Sequence, residues 1–185
     1  MANRLTKIVT RTGDDGSTGL ADGTRLAKSA PRIETMGAVD ELNTALGLLL
    51  AEEVPAPVRR CLEDVQHDLF DLGGELSVPG HALMSDAHCA RLDDAITAFN
   101  ESLSPLKDFI LPGGTRAASL AHIARTACRR AERVLVALNA ESPQPAAILQ
   151  YLNRLSDLLF VAARALNAHA GRGDVLWQQG KNRAP

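Results

Sequence analysis

Apolar residues recur at three- and four-residue steps through five stretches of the chain, each closed by proline, glycine or a polar cap. The cleanest stretch, Thr115 to Asn139, contains no Gly or Pro and predicts one helix. Ala118, Ala121, Ala124, Ala127 and Ala131 favour that helix. Leu120, Ile123, Ala127, Ala131, Val134 and Leu138 predict its buried stripe. Thr35 to Glu53 predicts a helix along Val39, Leu42, Leu46 and Leu49, and Val58 to Leu76 another along Leu62, Val65, Leu69 and Leu72. Ser85-Asp86 reads as the N-cap of a third, ending near Leu103. Ala146 to His169 predicts the last, with Leu149, Leu152, Leu155, Leu159, Val161 and Leu166 apolar. Pro55 and Pro57, Gly73-Gly74, Ser77-Val-Pro79-Gly80, Pro112-Gly113-Gly114, and Pro143 with Pro145 mark the breaks.

Residues 1–34 do not share this pattern. Gly13, Gly16, Gly19 and Gly23 stand among hydroxyl and charged side chains, so the segment cannot bury itself and predicts an irregular arm. Glycines admit backbone N–H groups to a ligand, the hydroxyls donate hydrogen bonds, and Lys28 adds a point charge, a combination that suits phosphate. It is not a Walker loop, because counting from Gly23 places Lys28 where the second glycine belongs. Composition alone leaves a flexible tail and a phosphate cradle equally open. After Gly171 the periodicity is lost again, with Trp177 placed to pack the tail down. The expectation is one domain over residues 1–185: an arm (1–34), a helix bundle (35–170) and a tail (171–185).

Composition narrows this picture. Apolar residues are 45% and charged residues 23%, but aromatics only 3%, so the core must be aliphatic, which favours helix on helix. A net charge of −2 argues against a general nucleic-acid or anionic-membrane binder, so any anion site must be local. Cys61, Cys89 and Cys128 form no Cys-x-x-Cys pair and read as reduced thiols. The opening Met-Ala-Asn-Arg-Leu-Thr-Lys has no apolar leader region, and no run approaches a membrane span. A cytoplasmic location is the expectation.

The candidate chemistry lies on the alanine-rich helix. Arg125, Arg129 and Arg133 follow at i, i+4, so their guanidinium groups share a face, with Glu132 beside them. Three cations on one face repel and need counter-charge from elsewhere: solvent, carboxylates of other helices, or a polyphosphate. Asp40 and Glu41 favour the dipole of the first helix, and Asp40 could also meet such an arginine face. Asn153 and Asp157 share a face of the last helix. Phe109 sits in a turn, as a plug beneath the loop or as a contact for a ligand. His67, His81 and His88 lack metal-ligand spacing, and no Glu-x-x-His occurs, which disfavours a carboxylate di-iron bundle.

Five of these stretches together resemble the PduO-type ATP:cob(I)alamin adenosyltransferases, the corrinoid adenosyltransferases of the trimeric five-helix class. They are Thr12-Gly-Asp-Asp-Gly-Ser-Thr, Val39-Asp-Glu-Leu-Asn43, Phe109-Ile-Leu-Pro-Gly-Gly, Cys128-Arg-Arg-Ala-Glu-Arg133 and Tyr151-Leu-Asn-Arg-Leu-Ser-Asp157. They run in the family's order across about residue 8 to 167, with Tyr151 where other members often carry Phe and Asp15 where some carry Lys.

The resemblance implies an all-α, antiparallel five-helix bundle with ferritin-like up-and-down packing and a glycine-rich arm. It implies homotrimers whose active sites lie between subunits. ATP and cob(I)alamin, drawn from cob(II)alamin, would be the substrates, with Mg²⁺ on the ATP phosphates and no protein-only metal cluster. Thr12, Gly13, Asp14, Ser17, Thr18 and Lys28 would hold the nucleotide from the arm, and Arg129, Glu132 and Asn153 from the helices. Arg125 would pair with Asp40 across the subunit interface, and Phe109 would lie beneath the corrin and keep the lower axial ligand off cobalt. A flavin-type reductase and an adenosylcobalamin-dependent enzyme are implied partners; nucleic acid and membrane are not. Two other classes stay open on the residues alone. One is a module that carries or senses adenosylcobalamin without making it; the other is a helical nucleic-acid binder, against which the net charge counts.

Overall fold

A computed structural model describes residues 8–182. The opening Met1–Lys7 reading and the last three residues of the tail lie outside the described residues. Five helices carry the chain: α1 (Pro31–Leu50), α2 (Ala56–Ser77), α3 (Asp86–Asn100), α4 (Arg116–Glu141) and α5 (Ala146–His169). The expectation of an irregular arm beside an all-α bundle needs one correction. The arm holds two short strands, β1 (Ser17–Gly19) and β2 (Arg25–Ala27), paired antiparallel with Thr18 opposite Leu26.

Capping chemistry explains most boundaries. α1 begins four residues before the expected Thr35 because Pro31, whose missing N–H costs nothing in the first turn, can open a helix. Thr115 is the N-cap of α4, its hydroxyl accepting from the Ala118 amide at 3.1 Å. Ser85 caps α3 in a reciprocal box with His88, which gives that histidine a local role. α2 runs through Gly73-Gly74 to Ser77, close to the expected end at Leu76, and α3 stops at Asn100, short of Leu103.

Cross-helix contacts show that consecutive helices run in opposite directions. Arg32 at the start of α1 donates to Leu76 O at the end of α2, while Arg116 opening α4 meets Glu52 just beyond α1 at 2.6 Å. Cys128 of α4 donates to Leu152 O of α5, and Thr115 N–H reaches Asn167. α3 lies along α5 in the same direction, from Cys89 near Ala147 to Asp93 near Arg154.

The expected stripe of α4 is displaced by a fraction of a turn. Ile123 is 53% exposed, and the buried line runs Ala121, Ala124, Cys128, Ala131, Leu135, Leu138. α4 packs between α1 and α5, and small side chains on this line let three helices approach closely. Burial pushes the Cys61 thiol up to about 11 and the Cys128 thiol higher still, so neither is a ready nucleophile.

One polar network sits inside the core. Tyr151, fully buried, donates its hydroxyl to Asp68 Oδ2 at 2.7 Å, and Arg91 Nη2 donates to Asp68 Oδ1 at 2.5 Å. Tyr151→Phe leaves a buried carboxylate one donor short. It is expected to lower unfolding free energy by about 1–2 kcal/mol in a urea titration.

Candidate functional site

Three structural units carry the residues singled out in the sequence. The first is the outer face of α4. Arg125 is half-buried, with its Nε 3.4 Å from His122 Nδ1, and Arg133 Nη1 donates to Arg129 O at 3.1 Å. Burial, then the neighbouring Arg129, pull the Arg125 pKa down from the ordinary arginine value. Among the described residues no carboxylate forms an ion pair with Arg125, Arg129 or Arg133. Two carboxylates of α1, Glu34 and Glu41, pair with Arg130 instead. The local relief that a neighbouring acid could give the ladder is therefore spent on the adjacent face. Glu132 Oε1 accepts from Asn153 Nδ2 at 3.0 Å, which joins the ladder to α5.

The second unit is the arm. Leu20 is buried and Ala21 N–H donates to Ser77 O, so the hairpin is tied to the end of α2. Within it, Thr12, Gly13 and Asp14 lie in the turn that leads into β1, Ser17 and Thr18 lie on β1 itself, and Lys28 N–H donates to Gly16 O at 2.9 Å. A Cβ on Gly13 would lie 3.0 Å from Ser17 O and 3.2 Å from Lys28 Nζ. A side chain at this position would push the Ser17 carbonyl and the lysine end back by a few tenths of an ångström. Among the described residues no hydrogen bond joins this turn to Arg129, Glu132 or Asn153 of the same chain.

The third unit is the loop before α4. Phe109 is 78% exposed, which rules out the core plug, and its ring stands edge-on to Trp177, with centroids 6.2 Å apart. Trp177 N–H donates to Phe109 O at 2.8 Å and Leu111 N–H to Val175 O at 2.7 Å, so the tail does pack down, along this loop. A cavity of about 840 Å³ on the α1–α2 face holds Asp40, and one of about 590 Å³ lies against Phe109, Phe160 and Trp177. Asp40 and Arg125 make no contact within the chain; Asp40 opens onto the α1–α2 groove beside exposed Leu48 and Phe70.

Residues not singled out from sequence hold this loop in place. Asn167 Oδ1 accepts from Thr115 N–H at 2.8 Å, and its Nδ2 donates to Gly113 O at 3.0 Å. Buried Arg164 ties Ser104 O to Asp174 at 2.7 and 2.8 Å. Their signal was available: both are polar residues on the buried side of an otherwise apolar helix. Gly114 has φ +108, and a Cβ there would fall 2.2 Å from Asn167 Oδ1. Gly114→Ala is expected to cost about 1–3 kcal/mol and to lower turnover with it, read by thermal melting and assay.

Among the described residues no three His, Cys, Asp or Glu side chains stand together to hold a metal ion, and no helix is long and apolar enough to cross a membrane. The arrangement is a cationic face, a hydroxyl- and glycine-lined turn, and an exposed aromatic on a braced loop.

The sequence pattern described as cobalamin adenosyltransferase matches residues 8–166. A cobalamin adenosyltransferase of Cupriavidus metallidurans is 58% identical over 180 residues, 97% of this chain and 98% of that protein. A corrinoid adenosyltransferase of Bacillus subtilis is 44% identical, covering 94% of this chain and 93% of that one. Among solved structures, a variant PduO-type ATP:corrinoid adenosyltransferase from Lactobacillus reuteri, complexed with cobalamin and ATP, superimposes with a TM-score of 0.88. It is 35% identical and covers 94% of this chain and 97% of its own.

Proposed function

The chain belongs to the cobalamin adenosyltransferase family, and from that premise we propose how its residues divide the work of transferring the 5′-deoxyadenosyl group of ATP to cobalamin. Cob(I)alamin is the nucleophile: its cobalt forms a bond to the 5′ carbon as the carbon–oxygen bond to triphosphate breaks. No protein nucleophile or general base is required. The protein aligns cobalt with carbon and stabilises the charge that gathers on the leaving group.

Arg129 faces the polyphosphate and Arg125 helps to build the site. Lys28, Thr12, Gly13, Asp14, Ser17 and Thr18 hold it from the arm, and the Glu132–Asn153 pair fixes the nucleotide from the helix side. The observation that carries this reading is that, among the described residues, Arg125, Arg129 and Arg133 form no ion pair, on a chain of net charge −2. A bound polyanion supplies what the fold withholds. Mg²⁺ fits as a companion of the phosphates, where it would share their charge; Asp14 and the hydroxyls of the arm are the oxygen donors nearest to that role.

We further propose a homotrimer in which Asp40 of one subunit pairs with Arg125 of the next. Exposed Leu48 and Phe70 around Asp40 support such a contact, since a large apolar side chain left in water is a natural interface anchor. Phe109 then lies under the corrin, where no polar side chain could exclude a lower axial ligand so cheaply. The up-and-down packing is read as ferritin-like, the location as cytoplasmic, the electron donor as a flavin-type reductase, and the consumer as an adenosylcobalamin-dependent enzyme. Mixing the protein with ATP and chemically reduced cob(I)alamin tests the activity. The absorbance change of the adenosyl product is expected, and its absence with folded trimer refutes the reading; ATP binding without turnover would mark a carrier instead.

A further inference from the structure

The arm contains an anion site that is already filled from within the chain. Asp15 Oδ1 accepts from the Ser17 amide at 2.9 Å and from the Ser17 hydroxyl at 2.7 Å, and it lies 3.6 Å from Arg25 Nη2. Arg25 in turn donates to Thr12 O at 2.6 Å and, through Nε, to Ser17 Oγ at 3.1 Å. A backbone N–H, a hydroxyl and a guanidinium converging on one carboxylate oxygen are the donors that hold a phosphate oxygen. Ser17 is fully engaged, with its proton on Asp15 and its oxygen accepting from Arg25. In this state it has no donor left for a nucleotide.

Resting on the reading that ATP binds the arm, we propose that Asp15 is an intrachain stand-in for phosphate. It occupies the arm's anion site until the polyphosphate of ATP displaces it, and Arg25 is the cation for which the two compete. Three features favour displacement over a fixed brace. Both side chains are substantially exposed, 69% for Asp15 and 45% for Arg25, so the pair is weak and can swing apart into water. The turn is local, so releasing Asp15 disturbs no packed core. Asp15 is also the one carboxylate among the described residues that pairs with Arg25, so swinging it away leaves that guanidinium open to the ligand. The Ser17 contacts, with Arg25 behind them, hold the Asp15 carboxyl below the ordinary carboxylate value, so it competes as an anion at neutral pH. The benefit is an arm already shaped for phosphate before ATP arrives; the cost is lower affinity.

Calorimetric titration of the full chain with ATP, inorganic tripolyphosphate and adenosine separates the possibilities. Asp15→Asn keeps an oxygen to accept from Ser17 and so keeps the turn, but removes the charge. It is expected to bind ATP and tripolyphosphate about three- to tenfold more tightly, as fits one screened charge at close range, with adenosine affinity unmoved. Arg25→Gln is expected to weaken both polyphosphate ligands, with Arg25→Lys rescuing only in part because one ammonium cannot reach both Thr12 O and Ser17 Oγ. Equal or weaker ATP binding by Asp15→Asn, beside a wild type that binds, overturns the stand-in alone. A wild type that binds neither ATP nor tripolyphosphate overturns the nucleotide reading of the arm and the stand-in with it.

Discussion

Arg129→Ala is expected to lower kcat/KM for ATP by about 100- to 1000-fold, as the loss of one donor aimed at developing charge does elsewhere. At 1.36 kcal/mol per decade that is about 3–4 kcal/mol of transition-state stabilisation. The helix itself should not suffer. Alanine is the better helix former, Arg129 is exposed, and the bond Arg133 makes to it uses the backbone carbonyl, which survives the substitution. A melting temperature at or above wild type beside a collapsed rate would therefore locate the defect in the chemistry. Arg129→Lys separates charge from geometry: it keeps the cation and loses the planar fork, so an intermediate rate is expected. Arg130→Ala, one residue along, removes pairs to Glu34 and Glu41 and serves as the contrast, since its expected effect is on stability, about 0.5–1 kcal/mol. If Arg129→Ala stays within a few-fold of wild type, the ladder is only a solvated basic face.

Phe109→Ala should divide the reaction in two. Starting from cob(II)alamin with a reductant, conversion is expected to fall by about 100-fold or more, because the lower ligand then stays on cobalt and the metal is harder to reduce. Starting from cob(I)alamin already reduced, the rate should remain within about tenfold of wild type, since alignment of the two substrates rests on other residues. The side chain is 78% exposed and stands edge-on to Trp177, so a folding defect is not expected. Parallel assays from the two oxidation states make the measurement. Equal losses in both would mean that Phe109 positions the corrin and does not bare the metal.

The helices were legible because five amphipathic stretches separated by Pro and Gly leave little choice, and the family motifs came with them. The arm's hairpin was not legible. Three-residue strands carry no periodicity; the turn from Leu20 to Thr24 closes them, with Gly23 at positive φ, and the Arg25 contact with Thr12 and Ser17 that braces them is not revealed by spacing. The tilt of the α4 stripe was missed for a related reason. Ile123 and Val134 look more apolar than Ala124 and Cys128, but the first half of the line that packs between α1 and α5 is made of small side chains, Ala121, Ala124, Cys128 and Ala131. At the site, sequence singled out Phe109 and the arginines but not Asn167 or Gly114, whose mutual fit aims the loop. A polar residue inside an apolar helix was the available sign, and it gains its meaning only when the loop is seen against it.

In the proposed mechanism an apolar residue strips cobalt of its lower ligand while a cationic face receives triphosphate. The electron paramagnetic resonance spectrum of cob(II)alamin bound to the protein with ATP present tests this most directly. A four-coordinate signal that appears with ATP and disappears in Phe109→Ala is the predicted result. A five-coordinate signal in the wild-type complex, unchanged by ATP, would contradict it.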